Sequence, residues 1–202
     1  MNFLVMVAGL LTLNLAGAET PHKRLVIVGD SLTEGYGVSR PAAYPALLEK
    51  KIKSAGKKWH VINSGVSGST SASAVNRVKW HLKQKPDLLI IALGANDGLR
   101  AQDVKALEKN LTEAIQLAKS KDVPVILAGM KLPPNYGKDY SEKFAAVFPR
   151  VAQTQKVPLI PFLLEKVGGH TQLNLSDGIH PNEEGHKIIA DTVFKAIKDR
   201  LK

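Results

Sequence analysis

Asp87-Leu88-Leu89-Ile90-Ile91-Ala92-Leu93-Gly94-Ala95-Asn96-Asp97 is the stretch on which the fold of this chain turns. From Leu88 to Leu93 it is apolar without interruption. A run of that length without polar alternation suits a strand buried on both faces, as in a parallel sheet covered by helices. Gly94 ends the run, and the polar pair Asn96-Asp97 follows at once.

Similar pieces recur on either side. Leu25-Val26-Ile27-Val28 is ended by Gly29-Asp30, and His60-Val61-Ile62-Asn63 by Ser64-Gly65. Pro124 to Ala128 and Pro158 to Phe162 read as further short strands. Between them lie segments of helical period: Ala43 to Lys53, Thr70 to Lys85 stopped by Pro86, and Ser141 to Gln153. Val104, Leu107, Leu111, Ile115 and Ala118 mark one face of an amphipathic helix. Leu132 to Lys138 is a loop with Pro and Gly. The last helix spans Asn182 to Lys198, with Asn182 as N-cap.

Strands alternating with helices imply parallel strands joined by right-handed crossovers. The expected fold is α/β, a three-layer α/β/α sandwich. In such sheets, sites form in the loops beyond the carboxyl ends of the strands. Gly29-Asp30-Ser31, Ser64 to Thr70 and Gly94 to Asp97 each follow a strand there. Three loops should therefore converge on one edge.

The chain has 202 residues, 44% hydrophobic and 23% charged, and no cysteine. That suits one globular domain that folds without disulfides, and it excludes thiol catalysis. Residues 3 to 18 carry no charge and end in Ala16-Gly17-Ala18, which reads as a signal peptide over 1–18 cut after Ala18. About 16 residues is short for a membrane span, which needs roughly 20; the competing reading is a retained anchor. The domain would then occupy 19–202, in a periplasmic or secreted protein. Net charge is +10, from 28 Lys and Arg against 18 Asp and Glu. This could attract anionic partners such as phospholipid headgroups or nucleic acid. The lysines are scattered along the chain, so a solvated lysine surface is the preferred reading. With 5% aromatic residues and no basic run interleaved with aromatics, no nucleic-acid partner is expected. Membrane contact is expected to be peripheral at most, and the protein to be a monomer.

Ser31 stands on a tight turn after the first strand, where a serine can expose its hydroxyl and offer its own N–H to an oxyanion. A serine hydroxyl is weak until a base takes its proton. Of six histidines, His180 differs from His22, His60, His81, His170 and His186. It lies in Ser176-Asp177-Gly178-Ile179-His180-Pro181. Asp177, three residues earlier with a glycine between, can fold back on the imidazole and fix its tautomer. A metal site from Asp177, His180 and His186 is disfavoured, because no further ligand cluster accompanies it and His186 reads as a helix-face residue. Acyl transfer also needs oxyanion donors. The glycine-rich Asn63 to Thr70 loop and the Asn96 amide are candidates. Neither G-x-G-x-x-G nor G-x-x-x-x-G-K-[ST] is present, so nucleotide binding is weakly supported.

Taken together and in this order, these blocks resemble the SGNH hydrolase superfamily, the GDSL esterases. Gly29-Asp30-Ser31-Leu32 resembles its first block, Gly68 its second, Asn96 within Gly94-Ala95-Asn96-Asp97 its third, and Asp177-Gly178-Ile179-His180-Pro181 its last. The longer stretches Asp30 to Val38 and Leu93 to Arg100 are most similar to the bacterial periplasmic subgroup of thioesterase I, arylesterase and lysophospholipase L1. Ala101 stands where that subgroup commonly has Gly, in a loop bordering the acyl site. The resemblance implies a flavodoxin-like fold with a largely parallel five-stranded sheet. It implies catalysis by Ser31, His180 and Asp177, with an oxyanion hole from Ser31, Gly68 and Asn96. No metal or organic cofactor is implied. The implied substrates are carboxylic esters, acyl thioesters or lysophospholipids. A carbohydrate O-acetylesterase and a non-catalytic envelope-binding protein are the alternatives.

Overall fold

The computed structural model describes residues 22–202, so the expected signal peptide lies outside the described residues. Five strands, β1 (Lys23–Gly29), β2 (Trp59–Gly65), β3 (Leu88–Ala92), β4 (Val125–Ala128) and β5 (Leu159–Ile160), form one sheet in the order β2-β1-β3-β4-β5. Every pairing is parallel. Seven helices connect and flank them: α1 (Ser31–Glu34), α2 (Tyr44–Ser54), α3 (Ala74–Leu82), α4 (Ala95–Leu99), α5 (Val104–Lys119), α6 (Lys138–Gln155) and α7 (Glu183–Ile197). The α/β sandwich expected from the sequence is the fold observed. α2 packs with α7, while α5 packs between α3 and α6, giving the two outer layers.

The central strands explain this arrangement. Leu25 to Val28 on β1 and Leu88 to Ile91 on β3 are buried throughout. Only a sheet covered on both faces accepts side chains of both pleats in this way. The register sets the site. Gly29 at the end of β1 is level with Gly65 on β2 and with Ala92 on β3, so three loops leave the sheet at one height.

Two expected elements are shorter than their sequence pattern. The Thr70 to Lys85 helix is a 3-10 turn, Ser71–Ser73, followed by α3. Its start is diverted because Ser71 is bound by Asp97. Its end is drawn in because the residue before a proline avoids helical ψ. Lys83, Gln84 and Lys85 instead close tight turns onto Trp80, His81 and Leu82, and Lys85 takes φ +49°. β5 keeps only Leu159 and Ile160, since Pro158 and Pro161 on either side have no N–H for a ladder. α7 begins as expected, with the Asn182 side chain accepting the N–H groups of Glu184 and Gly185.

Candidate active site

The turn after β1 is tight enough that the Thr33 side chain lies against Gly29. A Cβ on Gly29 would meet Thr33 Oγ1 at 1.9 Å. Ser31 opens α1, and Asp30 caps that short helix by accepting the Leu32 N–H at 3.0 Å. Ser31 is thereby fixed beyond the sheet, buried except for its approach from the cleft.

His180 reaches Ser31 from a loop that closes on itself. The Leu175 N–H donates to the His180 carbonyl at 2.7 Å, and Asn174 bridges to Pro181. Inside it, Gly178 takes φ +75°, a backbone state that favours glycine. Asp177 Oδ1 accepts the N–H groups of Ile179 and His180, both at 3.0 Å. Its Oδ2 lies 2.7 Å from His180 Nδ1, and His180 Nε2 lies 2.9 Å from Ser31 Oγ. Partial burial raises the Asp177 pKa, but the bonds from the His180 and Ile179 backbones and the imidazole outweigh it. The carboxyl is held below its ordinary value. The Tyr36 ring, half exposed, lies 4.5 Å from the His180 ring, centroid to centroid.

The other two loops are stitched together. Gly68 takes φ +76°. Arg100 Nη2 donates to its carbonyl at 3.1 Å, and Asn96 Nδ2 donates to the Ser69 carbonyl at 3.0 Å. The buried Asp97 accepts the Ser71 N–H at 2.8 Å and its hydroxyl at 2.5 Å. Asn96 has two amide hydrogens, so one remains for the cleft. Ala101, just beyond, takes φ +48°, a left-handed state in which a glycine would be unstrained.

Each residue expected to act is therefore found at one edge of the sheet: Ser31, Gly68, Asn96, Asp177 and His180. The cleft they face has a volume of about 350 Å³. Its walls include Leu99, Met130, Leu132, Phe162, Leu164 and Ile179. Ile179 remains 38% exposed.

Several supporting residues have no sequence signature. Arg77 of α3 donates to the carbonyls of Gly29, at 2.8 Å, and of Ser64. One guanidinium thus binds the ends of β1 and β2, from which two site loops depart. His81 Nε2 lies 2.7 Å from the Ser64 hydroxyl. His186, on the inner face of α7, is fully buried, and its Nδ1 accepts the Tyr44 N–H at 3.2 Å. The Tyr44 hydroxyl in turn lies 2.8 Å from Thr33 Oγ1, in the turn that carries Ser31. Burial, then the nearby charge of His180, pushes His186 down to about 4. Burial pushes Asp30 up to about 6. The N–H groups of Leu32 and of Asp30 itself, then His180 and Arg77, pull the other way.

Known proteins resemble this chain along most of its length. The model of the GDSL-like lipase/acylhydrolase family matches residues 27–188. Esterase TesA of Pseudomonas aeruginosa is 36% identical over 198 residues, spanning 98% of this chain and 98% of that protein. The thioesterase 1/protease 1/lysophospholipase L1 of Escherichia coli K12 is 40% identical over 94% of this chain and 88% of its own length. A crystal structure of TesA superposes with a TM-score of 0.85 at 37% identity, covering 88% of this chain and 99% of that one.

Proposed function

The chain belongs to the GDSL-like lipase/acylhydrolase family and is an esterase of the SGNH type, and on that premise we propose how it works and on what. Ser31 is the nucleophile, His180 the general base and Asp177 its orienting acid. The observation that carries this reading is the contact series Asp177 Oδ2, His180, Ser31 Oγ at 2.7 and 2.9 Å. A carboxylate at Nδ1 requires the proton there and leaves the Nε2 lone pair for the serine hydroxyl.

His180 Nε2 takes the Ser31 proton as Oγ attacks the acyl carbon. The N–H groups of Ser31 and Gly68 and the free Asn96 amide hydrogen hold the resulting oxyanion. His180 then gives its proton to the departing oxygen or sulfur, and the acyl group stays on Ser31. Water, deprotonated by His180, attacks that ester. The carboxylic acid leaves and Ser31 recovers its proton.

The apolar walls of the cleft favour an acyl chain longer than acetyl. Fatty esters, acyl thioesters or lysophospholipids are therefore the proposed substrates, ahead of O-acetylated carbohydrate. The apolar N-terminal run supports export of the protein to a periplasmic or extracellular site. The test is hydrolysis of p-nitrophenyl esters from acetate to palmitate by wild type and Ser31→Ala. The variant should lose about a thousandfold or more of turnover, and wild type should prefer medium or long chains. A preference ending at acetate would transfer the reading to an acetylesterase. Retained turnover in the variant would remove Ser31 from its role.

A further inference from the structure

The positive charge of this protein is scattered along the sequence but gathered in space. Between Lys50 and Pro86 there are nine Lys and Arg and no Asp or Glu, against a net charge of +10 for the whole chain. In a parallel α/β sheet the helices run back, so their carboxyl ends and the strand beginnings share one end of the molecule. The connections there hold Lys57 and Lys58 before β2, Lys83 and Lys85 before β3, and Lys121 before β4. With the segments after α6 and α7, these five connections carry nine Lys and Arg and three carboxylates, Asp87, Asp122 and Asp199. The loops at the catalytic end, together with the short helices α1 and α4 among them, carry four Lys and Arg and six carboxylates.

Helix macrodipoles favour cations at carboxyl ends, and that accounts for lysines in the last turns, such as Lys53 and Lys119. It also covers Lys83, the C-cap of α3, but not Lys57, Lys85 and Lys121, which lie beyond the helices and their caps. Four exposed lysines, Lys79, Lys83, Lys85 and Lys121, surround a cleft of about 570 Å³ whose floor includes Leu82, Leu117 and Val123. Among the described residues none of these four makes an ion pair. Beside them, in the last turn of α3, Trp80 is 56% exposed.

We propose that this end of the molecule is a docking face for an anionic lipid surface. Lysines supply attraction to the headgroups, and Trp80 sits at the headgroup level, where indole rings partition. The face is broad and spread over five connections, which suits a plane better than a single rod-like polyanion. Docked in this way, the catalytic cleft at the opposite end of the strands opens toward the aqueous phase.

The test is co-sedimentation of the protein with phosphatidylcholine vesicles, and with vesicles containing about 30 mol% phosphatidylglycerol, at low ionic strength and in about 0.5 M NaCl. Binding is expected to the anionic vesicles alone and to be lost in high salt. The variant K83E/K85E/K121E should partition at least about thirtyfold less, with p-nitrophenyl butyrate turnover and thermal midpoint unchanged. Tryptophan emission should shift to the blue on binding in wild type and not in Trp80→Phe, a readout that stands even if the triple variant folds poorly. Absence of binding at low salt, equal binding to neutral vesicles, or an unaltered triple variant would each overturn the proposal. So would tighter binding to duplex DNA than to the anionic vesicles.

Discussion

Asp177 holds His180 at two points, the imidazole Nδ1 at 2.7 Å and the backbone N–H at 3.0 Å. One carboxylate thus positions the residue and, because a carboxylate only accepts, favours the ring proton on Nδ1.

Asp177→Asn should separate those two tasks. The amide oxygen can go on accepting the backbone N–H groups of Ile179 and His180, so the loop keeps its shape. Its NH₂ then faces Nδ1, and the ring proton is driven to Nε2, where it blocks acceptance from Ser31. Turnover should fall about a thousandfold to ten-thousandfold with an unchanged thermal midpoint. A loss below tenfold would mean that tautomer control is not what Asp177 contributes.

Asn96→Ala removes the proposed side-chain oxyanion donor and its bond to the Ser69 carbonyl. kcat should drop about a hundredfold to a thousandfold, with KM for p-nitrophenyl esters changed little. A change confined to KM would assign Asn96 to substrate binding in the ground state.

Ile179 lies between Asp177 and His180 in the chain, lines the cleft and is partly exposed. A bound acyl chain would cover it. At about 0.8 kcal/mol per buried methylene, Ile179→Ala should lower kcat/KM for octanoate esters about tenfold and leave acetate esters nearly unaffected. An equal loss on both would place the acyl chain elsewhere.

Asp30 predicts a pH dependence of stability. Its folded pKa of about 6 exceeds the ordinary 3.8 because burial disfavours the charge. As pH rises from about 4 to about 6, the unfolded chain releases this proton and the folded protein keeps it, so stability falls. The full cost, present above about pH 6, is about 3 kcal/mol at roughly 1.4 kcal/mol per pKa unit. His186, neutral until about 4 when folded, acts in the opposite sense, losing stability as pH falls from 6.5. The informative quantity is therefore the midpoint difference between Asp30→Asn and wild type. It should move in favour of the variant by about 5–10 °C between pH 4 and pH 7 in calorimetry. A difference independent of pH would show that Asp30 does not titrate in that range.

The fold was readable because its signals are local. Leu88 to Leu93 is apolar without a break, Gly29, Gly65 and Gly94 punctuate the turns, and Val104 to Ala118 keeps a helical period. The candidate site was readable because Asp177 and His180 lie three residues apart and Ser31 follows a strand almost directly. The rest depends on long-range geometry. Nothing near Arg77 in sequence announces that it binds two strand ends, and nothing near His186 that it meets Tyr44 across two helices. The lysines looked dispersed for the same reason: only the return of each helix to the start of the next strand brings Lys57, Lys85 and Lys121 to one end.

The self-closed loop around Asp177 and His180 divides the proposed machinery into a local part and a distant one. The relation of Asp177 to His180 is written in a handful of contiguous residues. The relation of His180 to Ser31 joins residues 149 apart and depends on the sheet that carries both loops. On the proposed mechanism turnover needs both distances, so it reports on the fold as well as on the site.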